Sequence, residues 1–166
     1  MGKKTMIISN STPLINFSAI HRLDILESLF NTIYIPKAVE QELFPKGISF
    51  PGNEDIRNSS FIKVSKIKNT LLYHSFRTDL DAGEAEAIIL AIEQKAGLLI
   101  LDELKARSVA DHYDIPFTGS IGCLVEAKKK GIISAIRPLM DQMKSDASFW
   151  INKKLYHQIS KDNDEL

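Results

Sequence analysis

Residues 81–102, DAGEAEAIILAIEQKAGLLILD, decide the fold because they predict a central helix followed by a buried strand. Asp81 and Glu84 have the spacing of a capping box, in which each side chain accepts a hydrogen bond from the other residue's backbone N–H. Residues 85–95 are apolar almost all round, which is typical of a helix that is covered on every side. Residues 98–101 show no polar alternation, so both faces of this strand are predicted to be covered.

Short apolar strands and helices alternate along the rest of the chain as well. Strands are predicted at 6–8, 32–35, 62–64, 98–101 and 115–118. Helices are predicted at 13–20, 23–30, 37–43, 85–95, 103–113, 120–130, 134–144 and 152–161. Residues 44–60 are rich in proline and glycine and are predicted to form a loop. The alternation predicts a three-layer α/β/α sandwich around a mostly parallel five-stranded sheet.

Length and composition are those of an ordinary globular protein. The 166 residues fit one domain over 1–166, and the polar tail at 160–166 is expected to fray. Lys+Arg and Asp+Glu number 21 each, so the net charge is zero, which argues against a passive basic coat for nucleic acid. The lone cysteine, Cys123, excludes an internal disulfide and a thiolate zinc site. Because no signal peptide or membrane-spanning stretch is found, a cytoplasmic protein with no membrane contact is expected.

Acid or amide side chains stand beside several of the apolar runs. Asn10 and Asp102 come directly after predicted strands, and Glu42 and Glu84 lie on predicted helices. Because the carboxyl ends of parallel strands meet at one edge of a sheet, we expect these four side chains to gather there. Oxygen ligands of this kind suit a hard divalent cation, and a cation so held activates water against phosphate esters. The sequence therefore predicts a small metal-dependent nuclease.

Each of these residues also has an ordinary structural explanation. Asp102 could cap the next helix, and Asn10 could only satisfy the turn before Pro13. Glu84 and Glu86 point to nearly opposite sides of their helix, since successive positions differ by about 100°. At most one of the two faces the site, and Glu84 is the predicted one because it lies nearer the helix start. The sequence contains no HExxH, GxSxG, GxGxxG or P-loop motif that would favour a competing chemistry.

Five segments, in this order, resemble the PIN-domain superfamily and, within it, a branch of predicted nucleic-acid-binding proteins related to VapC-type toxins. They are ISNSTPLINFSAIHRLDILESLF, IYIPKAVEQEL, LDAGEAEAIILA, LLILDELKARSVAD and FTGSIGCLVEAKKKGII, and they span nearly the whole chain. The resemblance implies a five-stranded parallel α/β/α sandwich, Mg²⁺ or Mn²⁺ held by acids, and cleavage of single-stranded or structured RNA. It also implies a homodimer and a small antitoxin protein as a partner.

The resemblance also assigns roles to individual residues. The implied site comprises Asn10, Glu42, Glu84 (or Glu86) and Asp102 at the four acid positions, with Thr118 or Ser120 at a polar position near the metal. Glu84 and Asp102 are implied to fix the metal, with Asn10 as a neutral ligand. Glu42 is implied to complete the shell or to orient the attacking water. Arg107 and Lys105 follow Asp102 and are candidates to contact substrate phosphate, although a solvated helix face is the ordinary explanation for Lys105.

Asn10 departs from the superfamily pattern, which has Asp after the first strand. An asparagine keeps an oxygen ligand but removes a negative charge, so the site is expected to hold one metal, or to hold it weakly. The alternative function is therefore a catalytically weak or inactive PIN-like module that binds RNA or a protein partner. Late in the chain, five apolar residues either form a dimer surface or cover the core: Leu139, Met140, Met143, Phe149 and Trp150.

Overall fold

The computed structural model of the protein describes residues 5–147 and 149–166. Its strands form one five-stranded sheet in the order β3-β2-β1-β4-β5, and every pairing is parallel. The strands are β1 (Ile7–Ser9), β2 (Ile33–Ile35), β3 (Ile62–Val64), β4 (Leu98–Ile100) and β5 (Phe117–Thr118). In the centre of the sheet Ser9 pairs with Ile100, so β1 and β4 end level with each other.

The described part of the chain contains ten helices, of which the first seven lie between strands and the last three follow β5. They are α1 (Ser11–Ala19), α2 (Leu23–Phe30), α3 (Lys37–Leu43), α4 (Asn53–Arg57), α5 (Thr70–Phe76), α6 (Ala82–Gln94), α7 (Leu104–His112), α8 (Ser120–Lys129), α9 (Arg137–Asp146) and α10 (Lys153–Asp162). Helices cover both faces of the sheet, so the predicted three-layer α/β/α sandwich is confirmed. None of the described helices is both long enough and apolar enough to cross a membrane.

The core lies in two clusters that follow the alternation of side chains along the strands. Ile100 belongs to the cluster that α1, α2, α8 and α9 cover. Leu99 and Leu101 belong to the cluster that α6 and α7 cover. Neighbouring residues of a strand point to opposite faces, so a strand without polar positions can supply both clusters. Ile88 and Ile89 are fully buried, which confirms that α6 is a central helix.

Two helices were not anticipated by the sequence pattern. Residues 44–60, predicted to form a loop, contain α4, which begins directly after Gly52 with its positive φ of 90°. The second is α5, which starts at Asn69, whose side chain accepts a hydrogen bond from the Leu72 N–H. None of the residues of α5 is buried. Tyr73 and Phe76 are only partly buried against the second cluster, and a helix of seven residues is too short for an apolar period to stand out in the sequence.

Fraying of the polar tail at 160–166 stays a prediction, and within this segment Glu165 is attached to the rest of the chain. The Glu165 carboxylate accepts hydrogen bonds from Lys128 Nζ at 2.8 Å and from the backbone N–H groups of Ile136 at 2.8 Å and Arg137 at 2.9 Å. Composition predicts fraying because the segment is polar. It cannot reveal an ion pair with a residue 37 positions earlier.

The apolar residues of α9 cover the core, which is one of the two alternatives left by the sequence. Leu139, Met140 and Met143 are all buried in the first cluster. Phe149 is partly buried against the same cluster, whereas Trp150 is 79% exposed. The apolar pattern of α9 therefore reflects packing within the chain, and of these five residues Trp150 alone presents a large apolar surface to solvent.

Candidate functional site

Asn10 lies where β1 and β4 end side by side. Its backbone N–H donates to the Ile100 carbonyl oxygen at 2.9 Å, which fixes it against the end of β4. Its side chain is buried, and Nδ2 donates to Glu103 Oε2 at 3.3 Å. Its Oδ1 atom is buried and has no hydrogen-bond partner among the described residues. A buried acceptor without a donor is costly, so this oxygen is a candidate ligand for a cation.

Asp102 follows β4 and is held by the start of α8. The backbone N–H of Ser120 donates to Oδ1 and its hydroxyl donates to Oδ2, both at 2.7 Å. Asn16 Nδ2 lies 3.4 Å from Oδ2 and donates to Ser120 Oγ at 3.0 Å. Asp102 thus caps α8 rather than α7, the helix that follows it in the chain. Burial raises the pKa of Asp102 and the charge of Glu103 adds to the rise, while the bonds from Ser120 oppose it.

Glu42, on α3, reaches across to the start of α6. Its Oε2 accepts a hydrogen bond from the Ser11 hydroxyl at 2.7 Å, and Oε1 accepts one from the Gly83 N–H at 3.1 Å. Gly83 makes room for this carboxylate, because a Cβ there would stand only 2.5 Å from Oε1. Burial raises the pKa of Glu42, and the charges of Asp81 and Glu103 raise it further against these hydrogen bonds.

Of the two glutamates near the start of α6, only Glu84 interacts with the other acids. The predicted capping box is present, because Asp81 accepts from the Glu84 N–H at 2.8 Å and Glu84 accepts from the Asp81 N–H at 3.0 Å. Burial raises the pKa of Glu84, and the charges of Asp81 and Glu103 contribute. Glu86 instead accepts a hydrogen bond from the Ala38 N–H at 3.0 Å, at the start of α3.

Glu103 connects the other acids, although the sequence pattern assigned it no role. Its Oε1 accepts a hydrogen bond from the Thr12 hydroxyl at 2.9 Å, and its Oε2 accepts the bond from Asn10. Its charge raises the pKa of three other acids: Glu42, Glu84 and Asp102. One signal could have identified it: it directly follows Asp102, so it must leave the sheet at the same edge.

Arg107 is placed against these acids from α7. Its Nε donates to the Leu101 carbonyl oxygen at 3.0 Å, and its Nη2 lies 3.9 Å from Asp102 Oδ1. The guanidinium also lies over the Phe117 ring, 5.5 Å from its centroid. Gly119 leaves space for this pair, because a Cβ there would lie 2.5 Å from Asp102 Oδ1 and would collide with Arg107. The guanidinium is therefore fixed at the edge of the site.

The remaining candidates are distributed unevenly around the site. Ser120 contacts Asp102 directly, as described above. Thr118 ends β5 and its hydroxyl lies against Gly122, on the side of the site away from Glu42. Lys105 is exposed on α7, in keeping with a solvated helix face.

Five carboxylates form what we call the acid cluster: Glu42, Asp81, Glu84, Asp102 and Glu103. Together with Asn10 Oδ1 they offer oxygen donors only, which is the chemistry that Mg²⁺ and Mn²⁺ prefer. Among the described residues, Arg107 is the one positive side chain that forms an ion pair with the cluster. The described part contains no group of three or more His, Cys, Asp or Glu already in position to hold a metal ion. The donors therefore fit a cation by type, and binding one requires side-chain rotation.

Comparison with known proteins agrees with the fold. A family model described as a PIN domain matches residues 6–165. The chain therefore belongs to the PIN-domain family, which the five sequence segments had suggested. Membership implies a nuclease-type fold in a family whose members generally depend on a divalent metal and bind nucleic acid. No curated protein matches the chain.

Proposed function

We propose that the protein is a metal-dependent ribonuclease of PIN type, which hydrolyses RNA phosphodiesters with Mg²⁺ or Mn²⁺. The observation that carries this proposal is the acid cluster at the carboxyl edge of the sheet, beside the buried Oδ1 of Asn10. Like charges held close together in a buried site raise one another's pKa and destabilise the folded protein. Strongly interacting groups of this kind mark functional sites more often than structural ones.

The proposed ligands are Asn10, Glu84 and Asp102, to which the structure adds Glu103 as a candidate. A bound divalent cation would neutralise charge on the phosphate and lower the pKa of an attacking water. Glu42 is the proposed base that orients this water and accepts its proton. Its pKa is raised by burial, which makes the carboxylate a better proton acceptor near neutral pH than an ordinary glutamate.

Arg107 is the proposed contact to substrate phosphate. A guanidinium offers donors in a planar fork that matches the oxygens of a phosphate. Its fixed position against Leu101 and Phe117 means that little side-chain freedom is lost when it binds. It also stands next to Asp102, so a phosphate bound by Arg107 lies beside the acid cluster.

Asn10 supports a second candidate function, a catalytically weak or inactive PIN-like module that binds RNA or a protein partner. An amide in place of a carboxylate leaves a cation with less negative charge around it. By resemblance we further propose a homodimer, and a role as the toxin of a toxin–antitoxin pair with a small antitoxin partner. Light scattering at micromolar concentration tests the first of these, and a strictly monomeric mass would contradict it.

The decisive assay for the enzyme is incubation of the purified protein with pooled RNA in Mn²⁺ and in EDTA. We expect cleavage in Mn²⁺, none in EDTA, and none with Asp102→Asn. Asp111→Asn is the matched control, since Asp111 is an exposed aspartate on α7. RNA binding without cleavage in either condition would reject the nuclease and favour the binding module.

A further inference from the structure

A groove of about 770 Å³ opens beside the acid cluster, at Asp102. Asp102 and Arg107 line one end of it. The groove continues between α8 and the segment that leads into α10. Its walls are mainly apolar and include Phe117, Ile121, Val125, Phe149, Trp150 and Leu155. We call it the Trp150 groove.

Trp150 is the feature of this groove that folding alone does not explain. It is the sole tryptophan of the chain, and 79% of its surface is exposed. Two further aromatic rings, Phe117 and Phe149, stand in the same wall and are only partly buried. Exposed aromatic surface inside a concave site marks a place where a ligand binds.

The charges of the groove indicate the kind of ligand. Arg107 is fixed at the end next to Asp102, and Lys129 supplies a second positive charge from α8. Glu126 is the negative side chain of the wall beyond Asp102. Cationic groups spaced along an aromatic wall match a strand of nucleic acid, in which phosphates alternate with flat bases. A wholly apolar ligand would make no use of either cation.

We propose that the Trp150 groove binds the single-stranded RNA next to the cleaved phosphodiester, with a base stacked on Trp150 and a phosphate on Arg107. This inference rests on the proposed function, because that function puts the cleaved phosphate at the acid cluster. It narrows the substrate to RNA whose bases are unpaired, since the bases of a duplex are stacked on each other and present no free face. The groove thereby selects single strands over helices.

Because Trp150 is the sole tryptophan of the chain, the protein's tryptophan fluorescence reports directly on binding at this residue. We expect a single-stranded oligouridylate to quench the protein's tryptophan fluorescence in a saturable titration, and a duplex of equal length to bind more weakly. Titrations in EDTA prevent cleavage, and parallel titrations in Ca²⁺ offset the repulsion between the acid cluster and phosphate. Absence of quenching in both conditions would overturn the proposal.

Variants of Trp150 test the stacking directly, with a labelled oligonucleotide followed by fluorescence anisotropy. Trp150→Ala should weaken binding roughly five- to a hundredfold, the range that corresponds to one base–aromatic stack. Trp150→Phe should keep most of the affinity because a ring remains. Leu71→Ala is the matched control: Leu71 is 81% exposed on α5, outside the groove. Circular dichroism checks that each variant is folded.

The outcomes separate this proposal from the nuclease itself. If the protein cleaves RNA in a metal-dependent way and Trp150→Ala leaves KM unchanged, the nuclease proposal stands and the proposal for the groove is rejected. If a base stacks on Trp150 but no cation supports cleavage, the proposal for the groove stands and the nuclease proposal is rejected. A fluorescence change that depends on protein concentration alone would show that a second copy of the chain covers Trp150, and would overturn the proposal.

Discussion

Glu165 and the acid cluster differ in whether their surroundings compensate the negative charge of the carboxylates. Burial raises the pKa of Glu165, but hydrogen bonds from Lys128 Nζ and from the Ile136 and Arg137 N–H groups outweigh it, so the net pKa is lowered. In the acid cluster, burial and neighbouring negative charges outweigh the hydrogen bonds, so the pKa values of Glu42, Glu84 and Asp102 are raised.

The difference shows that the fold can satisfy a half-buried carboxylate where its role is structural. Glu165 ties the tail to α8 and α9 with a lysine and two backbone donors. The acid cluster has one cation, Arg107, among the described residues, and that pair is long. An acidic site that is left short of positive charge is suited to recruiting a cation from solution. Substitutions at Glu165 and at members of the acid cluster test this contrast.

The largest effect is expected at Glu42. Glu42→Gln removes the proposed base and should lower the rate of Mn²⁺-dependent RNA cleavage by about 10²- to 10⁴-fold. Gly83→Ala should act in the same direction, since its methyl group would displace the Glu42 carboxylate. Glu40→Gln is the control: Glu40 is half-buried on the same helix and pairs with Lys37, so this change should leave the rate unchanged. A Glu42→Gln enzyme with full activity would remove Glu42 from the mechanism.

The next largest effect is expected at Glu165, and it concerns stability. Glu165→Ala removes the carboxylate partner of Lys128, whose Nζ keeps only the Asn163 carbonyl oxygen, and leaves two backbone N–H groups without their acceptor, which should cost about 2–4 kcal/mol of unfolding free energy. Urea denaturation measures this loss. Glu54→Ala, on the exposed face of α4, is the control and should change little. A loss no greater than that of the control would mean that the tail contributes nothing to stability.

Asn10→Asp should move stability in two directions. It places a carboxylate next to Glu103, so the melting temperature in EDTA should fall by about 2–4 °C, equivalent to on the order of 1 kcal/mol. The added charge should also enlarge the rise in melting temperature that Mn²⁺ produces, and should increase any cleavage rate. Asn58→Asp, at an exposed position, controls for charge alone. If metal affects neither protein, Asn10 is a turn residue.

The smallest effect is expected from Glu103→Gln, and it depends on pH. Raised pKa values mean that the folded protein binds more protons than the unfolded chain above the ordinary carboxyl pKa of about 4. The contribution of the acid cluster to the free energy of unfolding therefore falls as the pH rises above about 4. Removing the Glu103 charge relieves the other acids, so in EDTA the variant should melt about 1–2 °C above the wild type at pH 7. The difference should vanish below about pH 4.

Glu27→Gln is the control for this pH dependence, because Glu27 is exposed on α2. A drop in melting temperature with Glu103→Gln at pH 7, comparable to that of Glu165→Ala, would show that Glu103 serves as a structural acceptor. The acid cluster would then resemble Glu165, and the contrast between the two sets would disappear.

What the sequence predicted depends on how local each signal is. The strand at 98–101 and the Asp81–Glu84 capping box each depend on residues that are close together in the sequence. Both are present in the structure. The bond between Asn10 and Glu103 joins positions 93 apart and depends on β1 lying next to β4. The hydrophobic periodicity of a segment does not indicate which strands will lie side by side. The same reason explains why the attachment of Glu165 to Lys128 could not be predicted.

The central claim is that the acid cluster binds a divalent cation, and calorimetric titration with Mn²⁺ tests it most directly. We expect saturable binding to the wild type and to Glu86→Gln, since Glu86 lies on the same helix but contacts Ala38 instead of the cluster. Asp102→Asn and Glu103→Gln should each weaken binding about tenfold or more, because each removes a charge from the site. Equal affinities in all four proteins, or no binding to the wild type, would contradict the claim.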